Sequence, residues 1–156
     1  MSIEKVREYF KHQGIEDRIL EFSVSSATVA LAAEALGCAP ERIAKTLSFV
    51  KDDGCILVVA AGDARIDNAK FKAEFSMKAK MADPTEVARL CGHATGGVCP
   101  FAVNEGVPVY LDESLRRFDY VYPAAGSSNS AIKLTLPELE KFSAYTKWVD
   151  VTKLPE

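Results

Sequence analysis

A chain of 156 residues is the size of one domain and long enough to bury a core of its own. Its 48% hydrophobic and 26% charged residues are those of an ordinary globular chain rather than a disordered one, and no apolar run approaches the roughly 18 residues that cross a bilayer as a helix. A formal net charge of −3 excludes a protein that coats nucleic acid by bulk attraction.

Along the chain, Ser2 precedes Ile3, Val6 and Phe10 at helical spacing, and Gly14 is placed to stop that helix. The start MSIEKVREYF is acidic and periodic, unlike the basic and then apolar order of a secretory leader, so the expected location is the cytoplasm, away from membranes. Leu20, Phe22 and Val24 alternate with polar residues, as in a half-buried strand. SVSSATVALAAEALG offers serines as N-caps, an alanine-rich helix and Gly37 as its stop, and Pro40 begins a short helical turn. RIAKTLSFV and CILVVAA read as strands joined through Asp52, Asp53 and Gly54, a composition that tolerates the positive φ of a tight hairpin.

Asp67 is placed to cap a helix reaching Phe75. Asp83-Pro84-Thr85-Glu86 has the pattern of a capping box with proline at the first helical position, and Gly92 ends that helix. Then come a turn at Asn104-Glu105-Gly106, a strand VPVYL, a short helix from Asp112, a strand DYVYPA, a turn AGSSNS and a strand AIKLTL. Thr135-Leu136-Pro137-Glu138 starts a further helix, and KWVDV is the last strand. Hairpins interleaved with helices predict one α/β domain over residues 1–156 with a mixed or mostly antiparallel sheet, rather than a doubly wound parallel one. No repeat, low-complexity tract or linker divides it.

Chemistry concentrates in CGHATGGVCPF, residues 91–101. A metal site there would use Cys91, His93 and Cys99, but the C-x-H-x5-C spacing is not that of structural zinc, and His12, the other histidine, is far away in sequence. A thiol nucleophile at Cys99 would need His93 in contact and a lowered pKa. The four cysteines are scattered through a chain that needs no staples and are expected reduced. The third reading is a backbone site. Gly96 and Gly97 adopt conformations closed to other residues and bring peptide N–H groups close to a ligand, an oxyanion hole or anion nest, unless the pair is simply a tight turn.

Two further features stand out. Lys45 alternates with Ile43, Leu47 and Phe49, so a strand that turns those three inward turns an ammonium inward too, and that ammonium needs an anionic partner or a ligand. Between Arg65 and Lys80, five basic residues (Arg65, Lys70, Lys72, Lys78, Lys80) face two acidic ones (Asp67, Glu74), which makes either a solvated helix face or a phosphate-contacting patch.

The segments SSATVALAAEALG, RIAKTLSFV, GHATGGVCPF and AGSSNSAIKLTLPEL, in that order over roughly Ser25 to Phe142, closely resemble the YbaK/EbsC family, which is related to the editing insertion of prolyl-tRNA synthetase. The resemblance implies a compact α/β domain with a curved, mostly antiparallel sheet. It also implies a free-standing hydrolase that cleaves a wrong amino acid from tRNA, chiefly tRNA for proline, with no cofactor and no metal. The implied partners are the acceptor end of aminoacyl-tRNA and prolyl-tRNA synthetase. Carried onto this sequence, the resemblance makes Lys45 the functional lysine, with Thr46 beside it and Thr28 in the preceding segment as substrate-binding residues. Gly96, Gly97, Val98, Pro100 and Phe101 become the substrate-facing loop, with Gly96 and Gly97 as its catalytic backbone, and Gly126, Ser127 and Asn129 a further wall. Some members carry an acidic residue just after that last turn. Here the region reads Ser130-Ala131-Ile132, so amino-acid specificity does not carry over.

Overall fold

The computed structural model describes residues 2–155. In chain order the helices are α1 (Ser2–His12), α2 (Val29–Leu36), α3 (Asn68–Phe75), α4 (Val87–Cys91) and α5 (Leu136–Ser143). The strands are β1 (Ile19–Glu21), β2 (Ile43–Lys51), β3 (Gly54–Ala61), β4 (Arg65–Ile66) and β5 (Val109–Asp112), followed by β6 (Tyr120–Pro123), β7 (Ser130–Ile132), β8 (Leu134–Thr135), β9 (Lys147–Val149) and β10 (Thr152–Lys153). Among the described residues no helix is long and apolar enough to cross a membrane.

The central sheet runs β8-β6-β2-β3-β5-β9 and is mixed, as the alternation of hairpins and helices predicts. Its spine is the antiparallel β2–β3 hairpin, in which residues 44–51 pair with 54–61 across the Asp52-Asp53 turn, with Asp52 at φ 52°. Parallel pairings carry the sheet outward on both sides, β6 on β2 and β5 and β9 beyond β3. Two antiparallel ribbons, β1–β7 and β4–β10, flank it. β3 is apolar throughout because both of its faces are covered. Leu57 and Val59 join the main cluster beneath α1 and α5, while Ile56 and Val58 join Phe49 and Phe71 beneath α3. A smaller cluster of Ala32, Ala33 and Ile43 lies under α2.

Local sequence explains most boundaries. Thr135 closes a capping box with Glu138 at the start of α5, and Asp67 caps α3 by accepting from the Lys70 amide. α2 is capped by Thr28, which accepts from the Leu31 amide, and not by the serines before it; Gly37 ends α2 at φ 67°. The 83–86 segment forms an Asx-type turn instead of a helix start, with Asp83 accepting from the Thr85 amide and hydroxyl, and α4 begins only at Val87. The alternation expected at Leu20-Phe22-Val24 is out of phase. Ile19 is buried, while Leu20 and Val24 are 41% and 59% exposed. That segment is not laid on the core but stitched to the 128–132 segment by strand pairing and by the Phe22 amide on the Asn129 carbonyl at 2.8 Å.

Candidate active site

The hairpin leaves one edge of β2 incompletely covered. β6 pairs with it only at Ile43 and Ala44, and farther along the 80–82 segment bridges it, the Ala82 amide donating to the Ser48 carbonyl and the Val50 amide to the Lys80 carbonyl, both at 2.9 Å. Among the described residues no strand covers the stretch between. Residues two apart in a strand present their N–H and C=O to the same neighbour, so the Thr46 backbone faces this opening as the Ser48 backbone does. A cavity of about 420 Å³ opens here. Its walls are largely apolar, with Val29, Ile43, Leu47, Val87 and Val98 among them, and among the described residues no Asp, Glu or His lines it. The Thr46 and Ser48 hydroxyls are buried without a nitrogen or oxygen partner, Ser48 leaning instead on the Cys55 thiol.

Lys45 shares a strand face with Ile43, Leu47 and Phe49, as the alternation implies, and is half-buried at the cavity wall between the clusters under α2 and α3. Its ammonium donates to the Gly62 carbonyl at 3.3 Å and to the Ala64 carbonyl. The partner that burial demands is therefore a pair of main-chain oxygens, which leaves one of three N–H donors for a ligand. Burial pushes the Lys45 pKa down; the Asp63 carboxylate works against that, and Arg65 adds to it. Gly62 is needed because a Cβ there would lie 2.1 Å from the Pro40 carbonyl oxygen.

The glycine turn lines the same cavity as Lys45. Gly96 lines the cavity at φ 94°, and its amide and that of Val98 have no partner in the chain among the described residues. The Gly97 amide is not a candidate oxyanion donor, because it is spent on the Ala94 carbonyl at 3.0 Å, closing the turn. What Gly97 supplies is contact: a Cβ there would lie 2.8 Å from the backbone of Gly126 and Ser127. The two glycine-bearing loops therefore touch, and a third segment joins them, the Ser26 amide donating to the Ser128 carbonyl at 2.7 Å.

Five of the residues implied by the resemblance line the cavity together: Thr28, Lys45, Thr46, Gly96 and Val98. Others do not. Gly126 and Ser127 back the Gly97 turn from behind, and Asn129 clips the Phe22 carbonyl at 2.9 Å, so the wall on that side is made by Ser130 and Ala131 instead. Pro100 and Phe101 are buried rather than substrate-facing. After Val98 the chain dives inward, and Phe101 stacks edge-on against Phe10 at 4.9 Å between centroids. A fully buried aromatic side chain of this kind stabilises by about 1.5–3 kcal/mol, and packing rather than binding accounts for its place. Residues that sequence reasoning missed include Ala27, Val87 and Tyr122, ordinary apolar types that carry no motif.

The cysteine–histidine cluster forms, but in the core. His93 is fully buried with Nε2 2.6 Å from the Phe101 carbonyl, so Nε2 carries the proton, Nδ1 is left without a partner, and burial pushes the imidazole pKa down. Cys99 Sγ lies 3.5 Å from Nε2, a nitrogen that is already donating and so unable to accept a thiol proton. Desolvation pushes the Cys99 thiol up to about 12. Cys99 is thus a core residue and not an accessible nucleophile. Among the described residues no group of three or more His, Cys, Asp or Glu side chains is placed to hold a metal ion.

One cavity of this single α/β domain thus joins a half-buried lysine, main-chain amides without partners among the described residues, and apolar walls. Residues 24–142 match the aminoacyl-tRNA editing domain family, and the chain belongs to that family. It is 51% identical over 154 residues to the uncharacterised protein YwhH of Bacillus subtilis strain 168, covering 98% of each chain. It is 34% identical over 95 residues to the proline–tRNA ligase of Shouchella clausii strain KSM-K16, a match covering 60% of this chain and 17% of the ligase. A crystal structure described as a candidate trans-editing enzyme for prolyl tRNA synthetase superposes with a TM-score of 0.86 at 30% identity, covering 97% of both chains.

Proposed function

We propose that this protein is a trans-acting deacylase that hydrolyses the ester between a wrong amino acid and tRNA, chiefly tRNA for proline. The observation that carries the reading is that the lining of one apolar cavity includes Lys45, with a donor to spare, and Gly96 and Val98, whose amides have no partner among the described residues, in a chain of the editing family.

An aminoacyl ester is already activated, so the main demand is to stabilise the oxyanion that develops when water adds to the carbonyl. Two main-chain N–H groups suit that task, each worth about 10²- to 10³-fold in rate. Lys45, held as an ammonium by two carbonyls, polarises the ester or holds the adjoining phosphate and is no general base. With no carboxylate or imidazole on the cavity wall among the described residues, the attacking water is oriented by the substrate's own ribose hydroxyl or amine. The apolar walls suit a small, uncharged amino-acid side chain, the kind a synthetase discriminates by only about 1–3 kcal/mol per methylene and therefore needs to edit.

The test is a panel of mischarged tRNAs incubated with the wild type and with Lys45→Ala. Wild-type release of one amino acid, slowed about a hundredfold or more in the variant, is expected. Failure to release any amino acid would leave a non-catalytic tRNA- or synthetase-binding module; equal rates would remove Lys45 from the mechanism.

A further inference from the structure

Beyond Lys45, away from the apolar cavity, lies a second hollow, of about 600 Å³, lined by Lys45, Asp63, Arg65 and Lys153 with main chain from Gly62 and Ala64. Its cations are brought together by the β4–β10 ribbon, whose register sets Lys153 directly opposite Arg65. Paired residues in a ladder project to the same face, and like charges so placed repel. No direct contact relieves the repulsion: among the described residues neither Arg65 nor Lys153 forms an ion pair or a side-chain hydrogen bond. Of the two nearby carboxylates, Asp63 is taken by both terminal guanidinium nitrogens of Arg117 at 2.5 and 3.1 Å, and Asp67 by the amide of Lys70 at 3.1 Å, although its field still reaches Lys153. Lys45 adds a third cation, hydrogen-bonded only to main-chain oxygens, with the Asp63 carboxylate acting on it through space. The rest of the basic segment singled out in the sequence is elsewhere. Lys70 pairs with Asp150 at 3.1 Å, and Lys72, Lys78 and Lys80 do not line the hollow.

Three converging cations without a dedicated counterion make a seat for an anion, and Lys45 belongs to the walls of both the hollow and the cavity. In the terminal nucleotide of an aminoacyl-tRNA, one ribose separates the ester on its 2′ or 3′ oxygen from the phosphodiester on its 5′ oxygen. A ligand that puts the ester in the apolar cavity carries its phosphate past Lys45 into the hollow. We infer that the hollow formed by Lys45, Arg65 and Lys153 binds the backbone phosphate of the 3′-terminal nucleotides of the tRNA. This deepens the deacylase reading and rests on it for the identity of the ligand. The contact is blind to base sequence, as phosphate contacts are, and fixes register.

The experiment pairs a kinetic arm with a binding arm, using wild type and the double variant Arg65→Ala/Lys153→Ala. With mischarged tRNA, the double variant should raise KM about tenfold or more at low salt with kcat within about twofold, and should flatten the salt dependence of log KM by roughly 0.7 for each lost contact. The wild-type preference for aminoacyl-tRNA over 2′(3′)-O-aminoacyl-adenosine, which lacks the phosphate, should shrink by the same factor. In the binding arm, a deacylated CCA-ended minihelix should bind the wild type and lose affinity in parallel in the variant, whose urea midpoint stays level or rises as the repulsion is removed. A wild type that deacylates while the variant keeps both KM and salt slope would refute the phosphate seat and leave the deacylase intact. A wild type with no deacylase activity whose minihelix binding still depends on Arg65 and Lys153 would refute the deacylase and keep the seat. Displacement of the minihelix by inorganic phosphate at comparable concentration would overturn RNA as the ligand.

Discussion

At the scale of single residues, burial decides chemistry more than residue type does. Lys45 and His93 are both bases whose positive charge is penalised by desolvation, yet they answer differently. Lys45 has two carbonyls to keep its proton for, whereas His93 donates through one nitrogen and leaves the other bare in the core. The histidine has a measurable consequence. Its folded-state pKa is pushed below the unfolded value of about 6.5, so the unfolded chain takes up the proton more readily. Stability is then fully present above about pH 6.5 and falls as the pH drops from there through the lowered folded-state pKa, by at most about 1.4 kcal/mol per pH unit. Aspartates held low by their partners, Asp63, Asp67, Asp83 and Asp119, work in the same direction but only below their ordinary range near 3.8. Urea titrations between pH 7.5 and 5 should therefore show a slope in the wild type that is absent in His93→Gln. Equal slopes would mean that the imidazole is not the group responsible.

At the scale of elements, the site depends on three loops touching rather than on any helix or strand alone. The Gly96-Gly97 turn presents two free amides only because its third, that of Gly97, is closed on Ala94 and its back lies flat against Gly126 and Ser127. In Gly97→Ala the new methyl meets main chain at 2.8 Å, which cannot swing aside, so the two loops must part. The expected cost is about 1–3 kcal/mol of stability, read from the urea midpoint, together with a loss of deacylation that exceeds what the destabilisation explains at a temperature where the variant is fully folded. Retained activity at full stability would show that the contact is incidental. The glycine pair was legible in the sequence, but its division of labour was not. Both glycines are open to unusual backbone, and only the neighbouring loop tells which one lines the cavity and which packs.

For the whole molecule, the C-terminal strand is tied to the centre by one buried carboxyl group. Asp112, at the end of β5, accepts from the Ser114 amide at 2.9 Å, the Val151 amide at 2.9 Å and the Thr152 hydroxyl at 2.7 Å. This knot holds β10 beside β4 and with it Lys153 beside Arg65. Asp112→Ala strands three buried donors and should destabilise by about 3 kcal/mol or more, with the Val151 amide among those whose hydrogen exchange accelerates most. A wild-type urea midpoint and an unchanged Val151 amide would show that the ribbon is held by its strand pairing alone. Asp112 carries no motif and reads in the sequence only as the start of a short helix.

The sequence by itself determined the hairpin that forms the sheet's spine, the helix stops at Gly37 and Gly92, the inward face of Lys45 and the order of segments that marks the family, because each rests on local spacing or on residue types with narrow backbone preferences. Tertiary structure decided the rest. It moved Phe101 and Cys99 into the core, closed Gly97 off, replaced Ser127 and Asn129 by Ser130 and Ala131 as a cavity wall, and set Lys153 against Arg65. Contacts between residues dozens of positions apart depend on which loops the packed sheet brings together, and no periodicity within one segment encodes that meeting.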